Sequence, residues 1–368
     1  MIEGKPIDYL PSQLDLLPRR KERLCEELRI SDDELEKWAE NHIFYVYPLC
    51  AAEYYSSGSV ADWERLHFAV ARNLVQYDEK LGVIFDNWGV GWKINPNGVW
   101  PYVHPLAGRA SLRDFSPPDP TIAGIFDHVE EDLPQKRNDV YIVGLQHILL
   151  FERAWTLVGY ESFMEKLITD LPFVEELLDM ITEYNVQLAY RFVALGVDAV
   201  RTGDDYGCQL GLQMHPTLWR RLFKPRLEKI WRVYRENGVV VMHHSCGDVR
   251  LIIEDMLDIG LQVLHPVQPH AMPLEELAQK FGNQLVFYGG IDTQRLLPFG
   301  TPQEVKEAVR RCIETLGKHG KYIIAPSQEI MNEVPTENIL ALVEAIREYR
   351  RVNEGWVSLE KLPLRRTC

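Results

Sequence analysis

The stretch GVVVMHHSCGDV, residues 238–249, is an apolar run that ends in side chains able to bind a metal. Residues two apart along an extended strand face the same side, so His244 and Cys246 project together. His243 and Ser245 then face the opposite side. An imidazole nitrogen and a thiolate are both common zinc ligands. The alternative is a buried strand with a hydrogen-bonded histidine and a small unpaired cysteine, and spacing alone leaves both interpretations open.

The elements around this stretch alternate regularly between strand-like and helix-like segments. Each strand is a continuous apolar run of the kind that parallel sheets bury on both faces. The predicted strands lie within residues 42–49, 82–88, 140–146, 196–207, 239–247, 261–269, 284–292 and 321–328. Eight strands with intervening helices predict an α/β fold of the (β/α)8 TIM-barrel type. An open doubly wound sheet is the alternative, but the Gly-rich phosphate turn expected after its first strand is missing.

We expect the 368 residues to form a single barrel domain with two additions. Residues 1–40 are predicted to be an N-terminal helical extension. Residues 93–139 are rich in Pro, Gly, Asn and Asp, and we interpret them as an insertion between early strands, a hairpin followed by a loop. The aromatic residues of segment 88–105 favour a packed lid that walls the pocket.

Catalysis in such barrels takes place at the C-terminal ends of the strands. Five of these ends read TGDDYGCQ, HHSCGD, HPVQPH, GGID and PSQE, all rich in polar and acidic residues. Their convergence on one face predicts a functional site. Two ligands do not hold a metal, so others must come from these ends. Gln328 or Glu329 is the first choice, with Asp204, Asp205 or Asp292 behind.

Carboxylates at these ends are the predicted catalytic groups. Asp204 and Asp205 are adjacent, so on an extended chain one enters the site while the other caps a helix or pairs outside it. We predict that Asp204 and Asp292 are catalytic, with a capping or turn-forming role as the alternative for each. The predicted substrate contacts are Trp92, Arg201, Asp205, Tyr206, Gln209 and Gln268, and His265 and His270 are further candidates.

Composition excludes several classes of partner. A net charge of −14 argues against binding to nucleic acid or to an anionic membrane, since either needs a large basic face. No apolar run is long enough to span a bilayer, and the N-terminus lacks the apolar core of a signal peptide. The six cysteines are scattered without a CxxC pair, which is typical of a reduced, cytoplasmic protein. No GxSxG, P-loop, HExxH or GxGxxG motif is present.

Several blocks between residues 140 and 350 resemble the uroporphyrinogen decarboxylase superfamily, which includes cobalamin-dependent methyltransferases. They are GVDAVRTGDDYGCQ, HHSCGDVRLIIEDMLDIG, LVFYGGIDTQRLLPFGTPQEV and PTENILALVEAI, in this order. The resemblance implies a (β/α)8 barrel. The Arg-rich N-terminal loop of true decarboxylases has no counterpart in the first hundred residues. By contrast, the HxCG motif of the methyltransferases has a counterpart in this chain. The resemblance implies that His244 and Cys246 are zinc ligands.

The sequence departs from this family at the third zinc ligand. Thiol-methylating members carry a cysteine shortly before the last helix, where this chain has Ser327, Gln328 and Glu329. The departure leaves either a His/Cys/oxygen site with Glu329 as the expected third ligand, or no metal. An oxygen-containing site suits a Lewis acid that polarises a methoxy group.

The leading hypothesis is a zinc-assisted methyltransferase of the O-demethylase type. It moves a methyl group between a small donor, such as a methoxylated aromatic, and cobalamin carried by a separate corrinoid protein. A metal-free, decarboxylase-like lyase that uses Asp204 or Asp205 with Arg201 is the second hypothesis. A non-catalytic barrel that binds a small molecule is the third. A homodimer is among the assemblies that we consider.

Overall fold

The computed structural model describes residues 8–52, 55, 60–95, 98–130 and 133–351. Two helices, α1 (Pro18–Leu28) and α2 (Asp32–Ala39), occupy the predicted N-terminal extension. The Ser31 side chain accepts the backbone N–H of Glu34 while the Glu34 side chain accepts that of Ser31, so α2 begins at a capping box. Among the described residues, no helix combines the length and the apolar character that a bilayer crossing requires.

The next elements along the chain are five strands, four of them in a small antiparallel sheet, and three helices. They are β1 (Ile43–Val46), α3 (Val60–Ala71), β2 (Gln76–Asp78), β3 (Val83–Phe85), β4 (Gly91–Asn95), β5 (Gly98–Val103), α4 (Asp127–Glu130) and α5 (Leu133–Lys136). Strands β2 to β5 pair in sequence order, all antiparallel. The prediction that residues 82–88 form a barrel strand is therefore wrong, because β3 joins its neighbours by short turns and a parallel partner would need a crossover. The hairpin predicted in the insertion is confirmed by β4 and β5.

The rest of the chain alternates strands and helices. The elements are β6 (Tyr141–Gln146), α6 (Phe151–Val158), α7 (Tyr160–Thr169), α8 (Leu171–Leu195), β7 (Ala199–Gly203), β8 (Gly207–Cys208), β9 (Gly211–Leu212), α9 (Pro216–Leu222), α10 (Lys224–Glu236), β10 (Val240–His244), α11 (Ile253–Asp258), β11 (Val263–Val267), α12 (Leu274–Phe281), β12 (Val286–Ile291), α13 (Leu296–Phe299), α14 (Pro302–Leu316), β13 (Tyr322–Pro326) and α15 (Thr336–Tyr349). Seven strands form one parallel sheet in the order β1-β6-β7-β10-β11-β12-β13. This order is barrel-like, and the predicted α/β class is confirmed.

An irregular segment takes the place of an eighth strand between β13 and β1. Ser12 forms a parallel bridge with Ile324 of β13, and its carbonyl accepts the backbone N–H of His42 just before β1. The Oε1 atom of Gln13 also accepts the backbone N–H of Ile43 at 3.0 Å. The described residues thus contain seven parallel strands, not the eight predicted, and the N-terminal segment joins the two outer strands.

Both faces of the parallel sheet are buried, which explains the continuous apolar runs in the sequence. One face packs on the surrounding helices. The other packs inward, where side chains such as Ile43, Val143, Met242 and Tyr288 form a separate cluster. This cluster fills the interior, so open space is left at the carboxyl ends of the strands.

Candidate functional site

A cavity of about 320 Å³ lies at the carboxyl ends of the parallel strands. Its lining residues are Gln13, Asp15, Leu145, His147, Ile148, Glu152, Arg201, Gly203, Asp205, His244, His265, Ala325, Pro326, Gln328 and Glu329. Most of them come from the ends of β6, β7, β10, β11 and β13 and from the N-terminal segment that joins the outer strands, and Glu152 comes from the first turn of α6. Strand ends that are distant in sequence therefore meet here, as the pattern predicted.

Three side chains at the edge of this cavity are arranged as metal ligands. His244 Nε2 lies 3.5 Å from Cys246 Sγ and 3.5 Å from Asp205 Oδ1. Among the described residues, the ligand atoms of these three lie within 4.8 Å of one another. Atoms bound to a tetrahedral zinc at about 2.0–2.3 Å are separated from one another by about 3.3–3.7 Å. The nitrogen, sulfur and oxygen donors therefore fit a zinc ion in both type and spacing.

Burial sets the protonation of these groups. It lowers the pKa of His244 to about 3, and the positive charge of Arg201 acts in the same direction. Burial raises the pKa of the Cys246 thiol well above its ordinary value and also raises the pKa of Asp205. The imidazole is thus neutral and has a lone pair to give, whereas a metal would have to displace a proton from the thiol.

His244 is held by a second histidine. Its Nδ1 lies 2.9 Å from Nδ1 of His265, so one of the two nitrogens donates a proton and the other accepts it. If His244 uses Nε2 for a metal, its proton stays on Nδ1 and His265 is the acceptor. The ring of His147 lies 5.4 Å from that of His244 and completes a group of three histidines.

Asp204 and Asp205 lie on opposite faces of the chain, as expected for adjacent residues in an extended segment. Asp205 lines the cavity, and its Oδ1 accepts the backbone N–H of Cys246 at 2.7 Å. Asp204 is fully buried outside the cavity lining, and its carboxylate accepts the N–H groups of Leu150, Phe151 and Glu152 at 2.7–3.0 Å. It therefore caps the N-terminus of α6. Asp204 thus has the capping role that was predicted as the alternative to a catalytic one.

Asp292 also stabilises the start of a helix. It accepts backbone N–H groups of Gln294, Arg295 and Leu296 at the start of α13, and His270 Nε2 lies 3.0 Å from its Oδ2. Burial raises the pKa of Asp292, but these hydrogen bonds have the larger combined effect, so the pKa lies below its ordinary value. Neither Asp292 nor His270 is among the residues that line the cavity.

Three predicted substrate contacts lie away from the cavity. Tyr206 is completely buried and packs against Trp219 and Phe223 behind the strands. Trp92 is buried in the antiparallel sheet, where its Nε1–H donates to Asp86 at 3.0 Å. Gln209 is exposed in the turn between β8 and β9. None of the three lines this cavity, and their contacts with a substrate stay predictions.

Two glutamines flank the Cys246 sulfur. Gln268 and Gln328 each place Nε2 at 3.9 Å from Sγ, and Gln268 Oε1 accepts the N–H of Gly247 at 2.6 Å. Glu329, the predicted third ligand, lines the cavity but is exposed and is not in the set of three. The oxygen that accompanies the histidine and cysteine belongs to Asp205 instead, because Asp205 follows the strand next to β10.

Arg201 is buried at the cavity wall, and its role as a substrate contact stays a prediction. Its Nη1–H donates to the Tyr45 hydroxyl at 2.9 Å, and Asp15 Oδ2 lies 3.8 Å from the same nitrogen. The Tyr45 hydroxyl in turn lies 2.7 Å from that of Tyr288. This network fixes one end of the guanidinium.

Sequence reasoning missed several lining residues. His147 directly follows the predicted strand 140–146, so the rule on strand ends could have found it. Gln13 and Asp15 belong to the extension and carry no sequence pattern that assigns them to a barrel. Glu152 enters from the first turn of α6.

Comparison with known proteins assigns the family. The family model described as uroporphyrinogen decarboxylase (URO-D) matches residues 80–349. The chain belongs to the uroporphyrinogen decarboxylase family. Within it, the chain is 30% identical over 196 residues to the methylcobamide:CoM methyltransferase MtaA of Methanosarcina barkeri, covering 53% of this chain and 55% of that protein. It is 29% identical over 173 residues to the uroporphyrinogen decarboxylase of Thermus thermophilus, covering 47% and 48%.

These matches cover about half the length of the curated relatives. Among solved structures, a methyltransferase from Methanosarcina mazei superposes with a TM-score of 0.64 at 22% identity, covering 95% of this chain and 96% of that one. This likeness shows the shared fold across almost the whole chain. It agrees with the resemblance that the sequence blocks implied.

Proposed function

We propose that this member of the uroporphyrinogen decarboxylase family is a zinc-assisted methyltransferase. It exchanges a methyl group between a small donor and cobalamin carried by a corrinoid protein. The observation that supports this most is the set of His244, Cys246 and Asp205, whose donor atoms have the spacing of zinc ligands. The similarity to methylcobamide:CoM methyltransferases points to the same chemistry.

The residues around the metal site have distinct tasks in this proposal. His244, Cys246 and Asp205 hold the zinc, and His265 keeps the His244 ring in the orientation that directs Nε2 at the metal. Gln268 and Gln328 direct N–H groups at the sulfur and so stabilise a thiolate. Bound zinc supplies a Lewis acid that withdraws charge from the donor oxygen, which becomes a better leaving group.

A small methoxylated aromatic is the donor class that we propose. A cavity of about 320 Å³ is at the lower end of the range typical of small-molecule sites. Apolar side chains such as Leu145, Ile148 and Pro326 share the lining with the polar groups. The corrinoid partner would meet the donor at the carboxyl ends of the strands, where the ligand set lies.

A decarboxylase-like lyase is the second candidate, and Arg201 in the cavity favours it together with the decarboxylase relatives. The charge balance argues against it. Among the described lining residues, Arg201 is the one guanidinium beside four carboxylates, those of Asp15, Glu152, Asp205 and Glu329. A substrate rich in carboxylates would be repelled from such a cavity.

Metal analysis of protein purified without chelator tests the proposal. We expect one zinc per chain, and we expect Cys246→Ala to lose it. Cys208→Ala is the matched control, because Cys208 is an exposed thiol in the β8–β9 hairpin. A folded wild-type protein without metal, or a Cys246→Ala protein that keeps its zinc, would overturn the zinc assignment.

A methyl-transfer assay then tests the chemistry. The zinc protein is incubated with cob(I)alamin and with matched methoxy, methylthio and methylamino donors, and methylcobalamin is followed by its absorbance. We expect transfer from methoxy-aromatics and its loss in Cys246→Ala. Failure with all three donor types would favour the lyase or a barrel that only binds a small molecule.

A further inference from the structure

Hairpin β8–β9 lies directly against the loop that carries Cys246. Its first strand, β8, begins shortly after Asp205, and the carbonyl oxygen of Cys208 in this strand accepts the backbone N–H of Asp248 at 2.9 Å. Two of the three proposed metal ligands, Asp205 and Cys246, therefore stand at the start of two segments that contact each other. The spacing of these segments sets the spacing of the ligands.

Two glycines determine how closely the segments approach. A Cβ atom on Gly207 would lie 2.5 Å from the carbonyl oxygen of Cys246, and one on Gly247 would lie 2.4 Å from the backbone nitrogen of Cys208. Real Cβ atoms essentially never come within 3.0 Å of such a neighbour. Both neighbours are backbone atoms, which cannot rotate away as the end of a side chain can. Glycine at these positions therefore permits an approach that no other residue allows.

The displacement that a side chain at Gly207 would cause is large on the scale of a metal site. Lengthening the contact from 2.5 Å to the limit of 3.0 Å moves the segments apart by about 0.5 Å. Bond lengths in a metal site vary by only about 0.2 Å. Because the displaced residue is the ligand Cys246, its sulfur and the oxygen of Asp205 would then fit a single ion poorly.

Gln213 fixes the base of the hairpin on the Asp205 side. Its backbone N–H donates to the carbonyl oxygen of Tyr206 at 2.8 Å, and its Nε2–H donates to that of Asp205 at 2.6 Å. The carboxylate of Asp205 is held separately, since Oδ1 accepts the N–H of Cys246 at 2.7 Å. Asp205 is thus fixed at its carbonyl group by the hairpin and at its carboxylate by the Cys246 loop.

We infer that hairpin β8–β9 is the positioning element of the metal site, in which Gly207 and Gln213 set the spacing between Asp205 and Cys246. This inference rests on the zinc site of the proposed function. Neither positioning residue offers a ligand, because Gly207 has no side chain and the Gln213 amide N–H groups face backbone carbonyl oxygens. The hairpin therefore acts through the ligands, and zinc affinity is the property that it governs.

Gly207→Ala tests the close approach by adding one methyl group. We expect zinc affinity to fall by about 10–100-fold, the range typical of changes to residues that orient metal ligands. Competition with a chromophoric chelator on the full chain measures it. We also expect the visible absorption spectrum of the Co²⁺-substituted protein to change, because this spectrum depends on ligand geometry.

Gly282→Ala is the matched control. A Cβ atom on Gly282 would lie 2.5 Å from the carbonyl oxygen of Ala278, so the clash is of the same size. It occurs between α12 and β12, at the opposite end of the strands from the ligand set. We expect zinc affinity within about twofold of wild type. A loss as large as that of Gly207→Ala would overturn the inference, since general destabilisation would then explain both variants.

Gln213→Met keeps the side-chain length, adds no clash with backbone and removes the hydrogen bond to Asp205. We expect zinc affinity to fall by about 3–10-fold, the effect of one lost hydrogen bond. This variant decides the question if Gly207→Ala does not fold. Wild-type zinc affinity and Co²⁺ spectra in both variants, or in Gln213→Met alone when Gly207→Ala does not fold, would overturn the inference.

The inference and the proposed function can fail separately. Zinc binding that depends on Gly207 and Gln213, without methyl transfer to cob(I)alamin, would reject the function and retain the role of the hairpin. Methyl transfer by a zinc protein whose metal affinity is the same in all variants would do the reverse.

Discussion

Strands β7 and β10, together with the residues that follow them, place an aspartate and a histidine on each of their two faces, yet the two faces have different roles. The cavity side presents Arg201, Asp205, His244 and Cys246. The side that faces the helices presents Thr202, Asp204, Tyr206, His243 and Ser245. Each side thus has an aspartate and a histidine, and the two sets alternate along the chain.

The side that faces the helices uses its polar groups for local structure. Thr202 Oγ1 lies 2.9 Å from His243 Nδ1 and accepts the Trp231 indole N–H at 3.0 Å. Ser245 Oγ accepts the N–H of Tyr206 at 2.9 Å, and Asp204 caps α6. On the cavity side, the polar groups converge on one another instead. The face of the strand on which a side chain lies distinguishes structural from candidate functional residues here better than the residue type does.

Asp205→Asn gives the largest expected effect in this comparison. The amide oxygen can still accept the Cys246 N–H, so the loop keeps its shape, but a neutral amide is a poor zinc ligand. We expect zinc affinity to fall by more than about 100-fold, beyond the effect typical of residues that merely orient ligands. Competition with a chromophoric chelator measures it. Unchanged affinity would remove Asp205 from the ligand set.

Asp204→Asn makes the same substitution on the opposite face of the strands. The amide replaces one accepting oxygen with an NH2 group that faces backbone N–H donors at the start of α6. We expect a loss of about 3 kcal/mol in the free energy of unfolding, measured by urea denaturation. Zinc affinity should stay within about threefold of wild type. A variant of normal stability that has lost activity would instead support the predicted catalytic role.

His265→Leu removes the acceptor for His244 Nδ1. We expect zinc affinity to fall by about 10–100-fold, because the ligand ring loses the partner that fixes its proton. His265→Asn, which can place an oxygen near the lost nitrogen, should recover part of the affinity. Absorption spectra of the Co²⁺-substituted proteins report the ligand geometry directly. Identical spectra and affinities for all three proteins would contradict the positioning role.

Glu329→Gln has the smallest expected effect. Because Glu329 is exposed and lies outside the set of three, zinc affinity should change by less than about threefold. The same chelator competition used for Asp205→Asn gives a direct contrast between the two carboxylates. A larger loss for Glu329→Gln than for Asp205→Asn would restore Glu329 as the third ligand.

Much of the fold could be predicted because parallel strands buried on both faces are nearly continuous apolar runs. All five strands predicted in the second half are present, as are those at 43–46 and 141–146. Strand 83–85 was misplaced because a short apolar run does not show whether its partners are parallel or antiparallel. The joining role of Ser12 was missed because three isolated bridges, in a segment that contains Pro11, leave no periodic pattern.

The site was predictable only in part. Alternation along β10 was enough to pair His244 with Cys246, and the structure brings their donor atoms to 3.5 Å. The same alternation separated Asp204 from Asp205 but did not say which one enters the cavity. His147 and Asp15 reach the site from β6 and from the N-terminal segment, which only the folded chain brings beside β10.

Local periodicity and spacing were enough to predict the alternation of strands and helices after residue 140, the family resemblance and the pairing of His244 with Cys246 at the end of β10. Only the folded chain shows that Asp205 places an oxygen beside that pair, that Asp204 and Asp292 accept backbone N–H groups at helix starts, and that Arg201 lines the cavity. These outcomes depend on distances between strands that are far apart in sequence. Such distances arise only when the sheet curves and brings its strand ends together.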